Sequence, residues 1–434
     1  GAPSDTGSQP MPFWLLLACA LSPAAAGGNM RLHLIEQGLA DQRGAYCLDG
    51  SRPGFYFSPA TSTELNTTWI IYLQGGGFCR DDDDCADRST TDLGSSQGWD
   101  GAIPGASVLD PDPSINPLFA QAHRVYIPYC DGWFYTGNKD DPVVVKGKTI
   151  YYRGKRNLVA ILDTLDLLGL RGVENLMLSG CSAGGLASYI QGDYVGSRYP
   201  GARKYGVAPL SGFFPIHASQ AGDYEFIAQL LTSAAMHNAT GGFDGNRCYE
   251  AAQRGEISDP YLCGMSNYSY AYMEANFFII NSALDAYSLL NIYNGDTDCQ
   301  HDEFNECSIK QIGDFDGWES DFMDQVEAAS QFTRKGNGAF IQSCLEHCAV
   351  EDSKTFESLS IDGMTVSQAL QQWWESSGSD PAADHTYTPC TLNKLGEHQC
   401  NPTCPNQVNY LEISRMKKRN VPSTPHAYST PMGL

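Results

Sequence analysis

Residues 175–185 read NLMLSGCSAGG, and the spacing G-x-S-x-G at Gly180, Ser182 and Gly184 constrains the chain more than any other feature. A run of mostly apolar residues passes directly into a serine fenced by small residues. Such a pattern is needed where a buried strand turns sharply into a helix and holds a nucleophile at the strained tip, because larger neighbours would clash there. Small residues also surround serines in ordinary turns. The pentapeptide therefore gains meaning only if the rest of the chain supplies a base, an acid and an oxyanion hole in the right places.

The chain is organised to carry such a unit. Short apolar runs recur at 69–74 (WIIYLQ), 124–129 (RVYIPY), 175–180, 205–212 (YGVAPLSG), 276–282 (NFFIINS) and 338–343 (GAFIQS), the signature of strands buried on both faces. Between them, Leu158, Leu162, Leu165 and Leu168 recur at helical spacing before Gly169 or Gly172, and residues 185–200 read as a helix stopped at Pro200. Strand–helix–strand alternation predicts an α/β fold with a doubly wound, mostly parallel sheet. Residues 81–117 and 218–272 lack clean strands and read as insertions near the ligand-bearing edge.

In an open parallel sheet, chemistry gathers beyond the carboxyl ends of the strands. Gly75, Gly76 and Gly77 follow the first strand, where a triple glycine lets backbone N–H groups converge as in a lipase-type oxyanion loop. Ser182 follows the third, and the N–H of Ala183 would complete the hole. Asp285 follows the strand at 276–282, where a triad acid belongs; the commoner use of such an aspartate is a helix N-cap. His347 follows the last strand and is placed to take the serine proton and return it. The order oxyanion loop, Ser, Asp, His is that of the α/β-hydrolases. Rival histidines fail on position: His217 precedes Asp285, His301 lies too close behind it, and His385 and His398 sit in a Cys-rich region without a strand.

Charge and cysteine content set the compartment. With 27 Lys+Arg against 50 Asp+Glu, the formal charge of -23 excludes nucleic acid and anionic membrane surfaces as partners. An apolar stretch at 11–21 followed by small residues reads as a secretory signal peptide, with a buried N-terminal helix as the alternative; it is too short to span a bilayer. Of the 15 cysteines, Cys19 would leave with the signal and Cys181 reads as a small buried residue inside the elbow; the other thirteen fall largely in polar, loop-like segments, as disulfide partners do, and their odd number leaves at least one free or paired between chains. Cys79 and Cys85 bracket a short aspartate-rich loop and are expected to brace it. The close pairs Cys344/Cys348 and Cys400/Cys404 lack a His-rich half-site, so bridges to distant cysteines are favoured over zinc. The acidic loop at 296–316 lacks the glycine of an EF-hand, and no metal or cofactor is expected. Sequons at Asn66, Asn238 and Asn267 fit a secreted glycoprotein. The predicted layout is a leader and signal peptide over 1–28, one catalytic domain over 29–407, and a disordered Pro/Ser/Thr-rich tail over 408–434.

Residues 45–57 (AYCLDGSRPGFYF), 72–79 (YLQGGGFC), 129–137 (YCDGWFYTG), 180–185 (GCSAGG), 281–287 (NSALDAY) and 344–348 (CLEHC) together resemble the ordered blocks of the pectin acetylesterase/Notum carboxylesterases, over roughly 32–348. The resemblance implies a secreted α/β-hydrolase-type serine esterase with Ser182, Asp285 and His347 as triad and Gly76, Gly77 and Ala183 as oxyanion hole. It also suggests that Cys47 pairs with Cys130. The chain departs from the plant members at Gln74, where they carry Glu, and at Phe78, where they carry Trp. Phe78, Trp133 and Phe134 are candidate substrate contacts, able to line an acyl groove or stack on a sugar. The family holds two substrate types. Removal of O-acetyl groups from an extracellular or cell-wall polysaccharide is the first expectation; deacylation of a longer fatty acyl ester, or a catalytically silent glycan-binding role, are the alternatives.

Overall fold

A computed structural model of the chain describes residues 28–294, 308–376, 385–387 and 403–404. Its strands are β1 (Asn29–Leu34), β2 (Gly54–Ser58), β3 (Thr68–Leu73), β4 (Ala102–Pro104), β5 (His123–Ile127), the hairpin β6–β7 (Val143–Val145, Lys148–Ile150), β8 (Asn175–Cys181), β9 (Lys204–Leu210), β10 (Asn276–Ser282), β11 (Gly338–Gln342), the short pair β12–β13 (Ser360–Ile361, Met364–Thr365) and β14 (His385–Tyr387). The main sheet has the order β14-β11-β10-β9-β8-β3-β5-β2-β1-β4. From β14 to β5 all neighbours are parallel; β2, β1 and β4 continue it antiparallel.

The six strands expected from apolar runs are present within a residue or two of their expected ends. Side-chain alternation explains why they read as continuous runs. Trp69, Ile71 and Leu73 enter the core on one face of the sheet, while Ile70 and Tyr72 enter the core on the other. The α-helices are α1 (Gln37–Arg43), α2 (Asp82–Arg88), α3 (Gly154–Leu167), α4 (Ala183–Arg198), α5 (Glu225–Met236), α6 (Arg247–Gln253), α7 (Ser266–Tyr272), a single turn α8 (Ala286–Ser288), α9 (Ile309–Ala328), α10 (Ser353–Ser358) and α11 (Val366–Ser376). Leu158, Leu162 and Leu165 of α3 and Leu186 of α4 join the first core; Leu370 and Trp373 of α11 join the second. The sheet is thus covered on both faces, as the doubly wound reading requires.

Three expectations need correcting. The insertion at 81–117 does contain a strand, β4, which pairs at the far edge of the sheet; with three residues it is too short to show a period. His385 begins strand β14 and does not lie in a strandless loop. The third concerns the antiparallel edge: β1 and β2 were not foreseen. The leader, residues 1–27, the acidic segment with His301, the region of His398 and Cys400, and the tail at 408–434 lie outside the described residues. No helix among the described residues is long and apolar enough to cross a membrane.

The register positions the site. Leu73 pairs with both Ile127 and Gly180, Cys181 with Leu210, and Ser282 with Gln342. The carboxyl ends of the central strands therefore stand level, and the loops carrying Gly75–Gly77, Ser182, Asp285 and His347 leave the sheet along one edge.

Candidate active site

β8 runs into α4 through Ser182, whose φ of 56° and ψ of −120° are strained for a non-glycine residue. The turn closes only because its neighbours are small. A Cβ on Gly184 would lie 1.9 Å from the Leu73 carbonyl oxygen, and one on Gly180 would lie 2.6 Å from the Gly184 oxygen. These two contacts are the physical content of the G-x-S-x-G spacing. Ser182 makes no side-chain capping bond to α4, so its hydroxyl is not tied to its own helix.

Asp285 does both things its position allowed. One carboxylate oxygen accepts from the Ser288 N–H at 2.8 Å and caps the turn α8; the other accepts from His347 Nδ1 at 2.7 Å. His347 Nε2 is buried and has no hydrogen-bond partner among the described residues. The histidine ring stacks on Tyr287, with centroids 5.1 Å apart, and lies 6.4 Å from Phe214. Tyr287, Phe214 and Ser182 line the same cavity. Burial lowers the His347 pKa, but the Asp285 carboxylate, with Glu346 and Glu351 beyond it, carries it above the ordinary histidine value. Glu346 is itself buried, which pushes its carboxyl up to about 7 against the opposing bond from the Ala349 N–H.

Gly75 lies directly beneath the serine: a Cβ there would stand 2.9 Å from Ser182 Cβ. The N–H groups of Gly76, Gly77 and Ala183 find no protein acceptor among the described residues. The departure at Gln74 is accommodated, since its side-chain oxygen accepts from the Tyr129 N–H at 2.9 Å, a task an amide performs as well as a carboxylate.

A narrow apolar slot opens beside Ser182, walled by Gly77, Phe78, Phe134, Leu186, Phe226 and Leu230. The three phenylalanines lean together, with Phe78 5.7 Å from Phe134 and 5.9 Å from Phe226. Trp133, the other aromatic proposed as a substrate contact, is displaced from this role. It is 0% exposed and its ring packs where a Cβ on Gly264 would stand 2.6 Å away. Phe134 and Tyr135 both take positive φ, 47° and 55°, and this left-handed turn sends Phe134 to the slot and Trp133 into the core.

Disulfides join Cys47 to Cys130, Cys79 to Cys85, Cys181 to Cys348, Cys248 to Cys263 and Cys344 to Cys404. Cys181 is therefore more than the small buried residue expected: it ties the residue before Ser182 to the residue after His347. The level register of β8 and β11 through their shared neighbours brings these two loops into bridging distance. His217 is engaged elsewhere, with Asp321 at 3.1 Å and Trp318 against its ring. A histidine that sequence reasoning passed over, His237, is fully buried with Nε2 3.8 and 3.7 Å from the sulfurs of Cys79 and Cys85; burial lowers its pKa to about 3, so it packs there neutral. Among the sequons, Asn66 is exposed on the loop before β3, whereas the Asn238 amide donates to the Asn138 carbonyl and the Asn267 amide, in α7, to Gln325.

A mostly parallel sheet covered on both faces, with a serine at a strand-to-helix tip on its carboxyl edge, is the architecture of α/β-hydrolases and, among them, of carboxylic ester hydrolases. The chain belongs to the pectinacetylesterase family, whose model matches residues 24–400. It is 29% identical over 363 residues to pectin acetylesterase 4 of Arabidopsis thaliana, spanning 82% of this chain and 86% of that protein. The human palmitoleoyl-protein carboxylesterase Notum is 24% identical over 411 residues, 90% of this chain and 76% of that protein. A crystal structure of the Wnt deacylase Notum from Drosophila superposes with a TM-score of 0.68 at 19% identity, over 87% of this chain and 99% of that one, a likeness of fold. The chain is a carboxylic ester hydrolase, in keeping with the names its relatives carry.

Proposed function

We propose that the protein is a secreted serine esterase that removes O-acetyl groups from a polysaccharide. His347 Nε2 takes the Ser182 proton as Oγ attacks the acetyl carbonyl. The N–H groups of Gly76, Gly77 and Ala183, helped by the N-terminus of α4, receive the oxyanion. Collapse expels the sugar oxygen, which takes the proton from His347, and leaves acetyl-Ser182. Water, deprotonated by the same imidazole, then releases acetate. Asp285 holds the tautomer throughout. Secretion is supported by the five disulfides among the described residues, since such bridges persist in oxidising compartments.

The width of the slot carries the choice of acetate. Phe78 packs against both Phe134 and Phe226 across it, so a methyl group enters where a long chain would have to displace phenylalanines. We expect kcat/KM for p-nitrophenyl esters to fall at least ~10-fold from two carbons to eight, the order of one to three kcal/mol that a poor fit to a pocket costs. Equal or faster hydrolysis of the octanoate would sink the acetyl reading. It would favour the second one, a deacylase of longer fatty acyl esters, for which the aromatic and aliphatic side chains around Ser182 in the slot speak. A protein that a fluorophosphonate fails to label would instead be a silent glycan binder.

A further inference from the structure

We infer that Arg88 is a positioning residue for the oxyanion hole: it holds the Gly76–Gly77 peptide so that the Gly77 N–H is aimed at the acyl oxygen. The inference rests on the proposed role of that N–H and goes beyond it by naming what fixes it.

Arg88 ends helix α2, and α2 is fastened to the end of the glycine loop by the Cys79–Cys85 bridge. Its Nη2 donates to the Gly76 carbonyl at 2.7 Å, and its Nε donates to the Leu93 carbonyl at 3.1 Å. The guanidinium carbon lies 5.0 Å above the centre of the Tyr129 ring. Two hydrogen bonds and a ring face fix the orientation of the planar guanidinium. The Gly76 oxygen and the Gly77 nitrogen belong to one planar trans peptide, in which C=O and N–H point in opposite directions. Drawing the oxygen toward Arg88 therefore turns the N–H away from it, and Gly77 is a wall of the slot that Ser182 shares. Gly76 reaches this orientation at φ 138°, which an L side chain rarely adopts and a glycine adopts freely.

The bond also acts electronically. A charged donor on the carbonyl polarises the amide and strengthens its N–H as a donor at the other end. Arg88 thus prepares a partial positive charge at the place where negative charge develops, without touching the substrate. The effect is confined to the transition state, because a ground-state ester oxygen carries little charge to stabilise.

The test compares wild type, Arg88→Gln and Arg88→Lys on p-nitrophenyl acetate, with an aryl trifluoromethyl ketone as the inhibitor that forms an oxyanionic adduct with the nucleophile. Active enzyme is counted by fluorophosphonate labelling of Ser182. Arg88→Gln should lower kcat by about 10- to 100-fold, part of the loss typical of an oxyanion donor. Its KM should stay within about twofold, and ketone affinity should weaken by the same factor as kcat. Arg88→Lys, which can reach one carbonyl but not both, should fall between. A folded Arg88→Gln with wild-type kcat and ketone affinity overturns the inference, as does a lower kcat with unchanged ketone affinity. If Arg88→Gln does not accumulate, Arg88→Lys decides by the same two measurements. Wild type that neither labels at Ser182 nor binds the ketone would instead overturn the proposed site itself, so the two failures are distinct.

Discussion

Ser182→Ala is expected to lower kcat for p-nitrophenyl acetate by about 10⁴-fold or more while leaving the fold intact. The loss of activity follows from removal of the only atom placed to form an acyl intermediate at the elbow. The retention of stability follows from the local structure. Ser182 is 8% exposed, its hydroxyl caps nothing, and alanine pays the same cost as serine for the unusual backbone angles. The backbone bonds at this tip, from Ser182 N–H to the Leu210 carbonyl and from Leu186 N–H to the Ser182 carbonyl, are untouched by the substitution. The thermal midpoint should therefore shift little, within the ~0.5 kcal/mol of a substitution that breaks no packing or bond. A well-folded Ser182→Ala with substantial esterase activity would falsify the whole mechanism.

The second large effect is expected at the acid and base. His347→Ala should remove nearly all activity, and Asp285→Asn should lose much of it, because an amide at that position can hold the imidazole in the wrong tautomer. The two differ in stability. Asp285 also caps α8 through its other oxygen, so Asp285→Ala should cost about 1 kcal/mol in addition, while asparagine can keep the cap. The pH profile follows from the same pair. The base must be neutral to act, and its pKa is raised, so kcat/KM should increase with pH along one ionisation whose midpoint lies above the ~6.5 of an ordinary histidine. In Asp285→Asn the largest raising charge is gone, leaving Glu346 and Glu351, while burial still lowers the pKa, so the residual activity should titrate at lower pH. If the profile of the variant does not move downward, Asp285 is not the partner that sets it. Should His347→Ala retain near wild-type rates while His301→Ala does not, the assignment of the base by chain order is wrong.

Much of this was legible in the sequence because parallel strands buried on both faces leave unbroken apolar runs, and because chemistry at their ends falls in chain order. The glycine loop, Ser182, Asp285 and His347 each follow such a run directly. β1 and β2 were missed for the opposite reason. NMRLHL mixes charge with apolar residues on the strand next to the sheet's antiparallel edge, and GFYFS follows a proline and opens on a glycine. Trp133 and Phe134 are neighbours of one chemical type, and only the left-handed backbone at 134 and 135 separates their fates. Arg88 and His237 were invisible because their partners lie on other segments: Arg88 sits 12 residues from the carbonyl it holds, and His237 lies more than 150 from the bridge it covers.

The bridge from Cys181 to Cys348 spans 167 positions of the chain and flanks both members of the proton-transferring pair. Closing a loop of that size lowers the entropy of the unfolded chain by roughly 5 kcal/mol in the chain-entropy description. It also welds two loops from different strands into one body. Neither can swing open without the other, so any local opening of the site must move both loops at once. Heating the oxidised enzyme should extinguish activity and tertiary structure at one temperature. In Cys181→Ser/Cys348→Ser the two curves should part, activity failing several degrees before near-ultraviolet circular dichroism does; coincident curves in that variant would show that packing alone keeps the loops together. Where this chain is made without an oxidant, its sheet can be complete while its catalytic geometry is still loose.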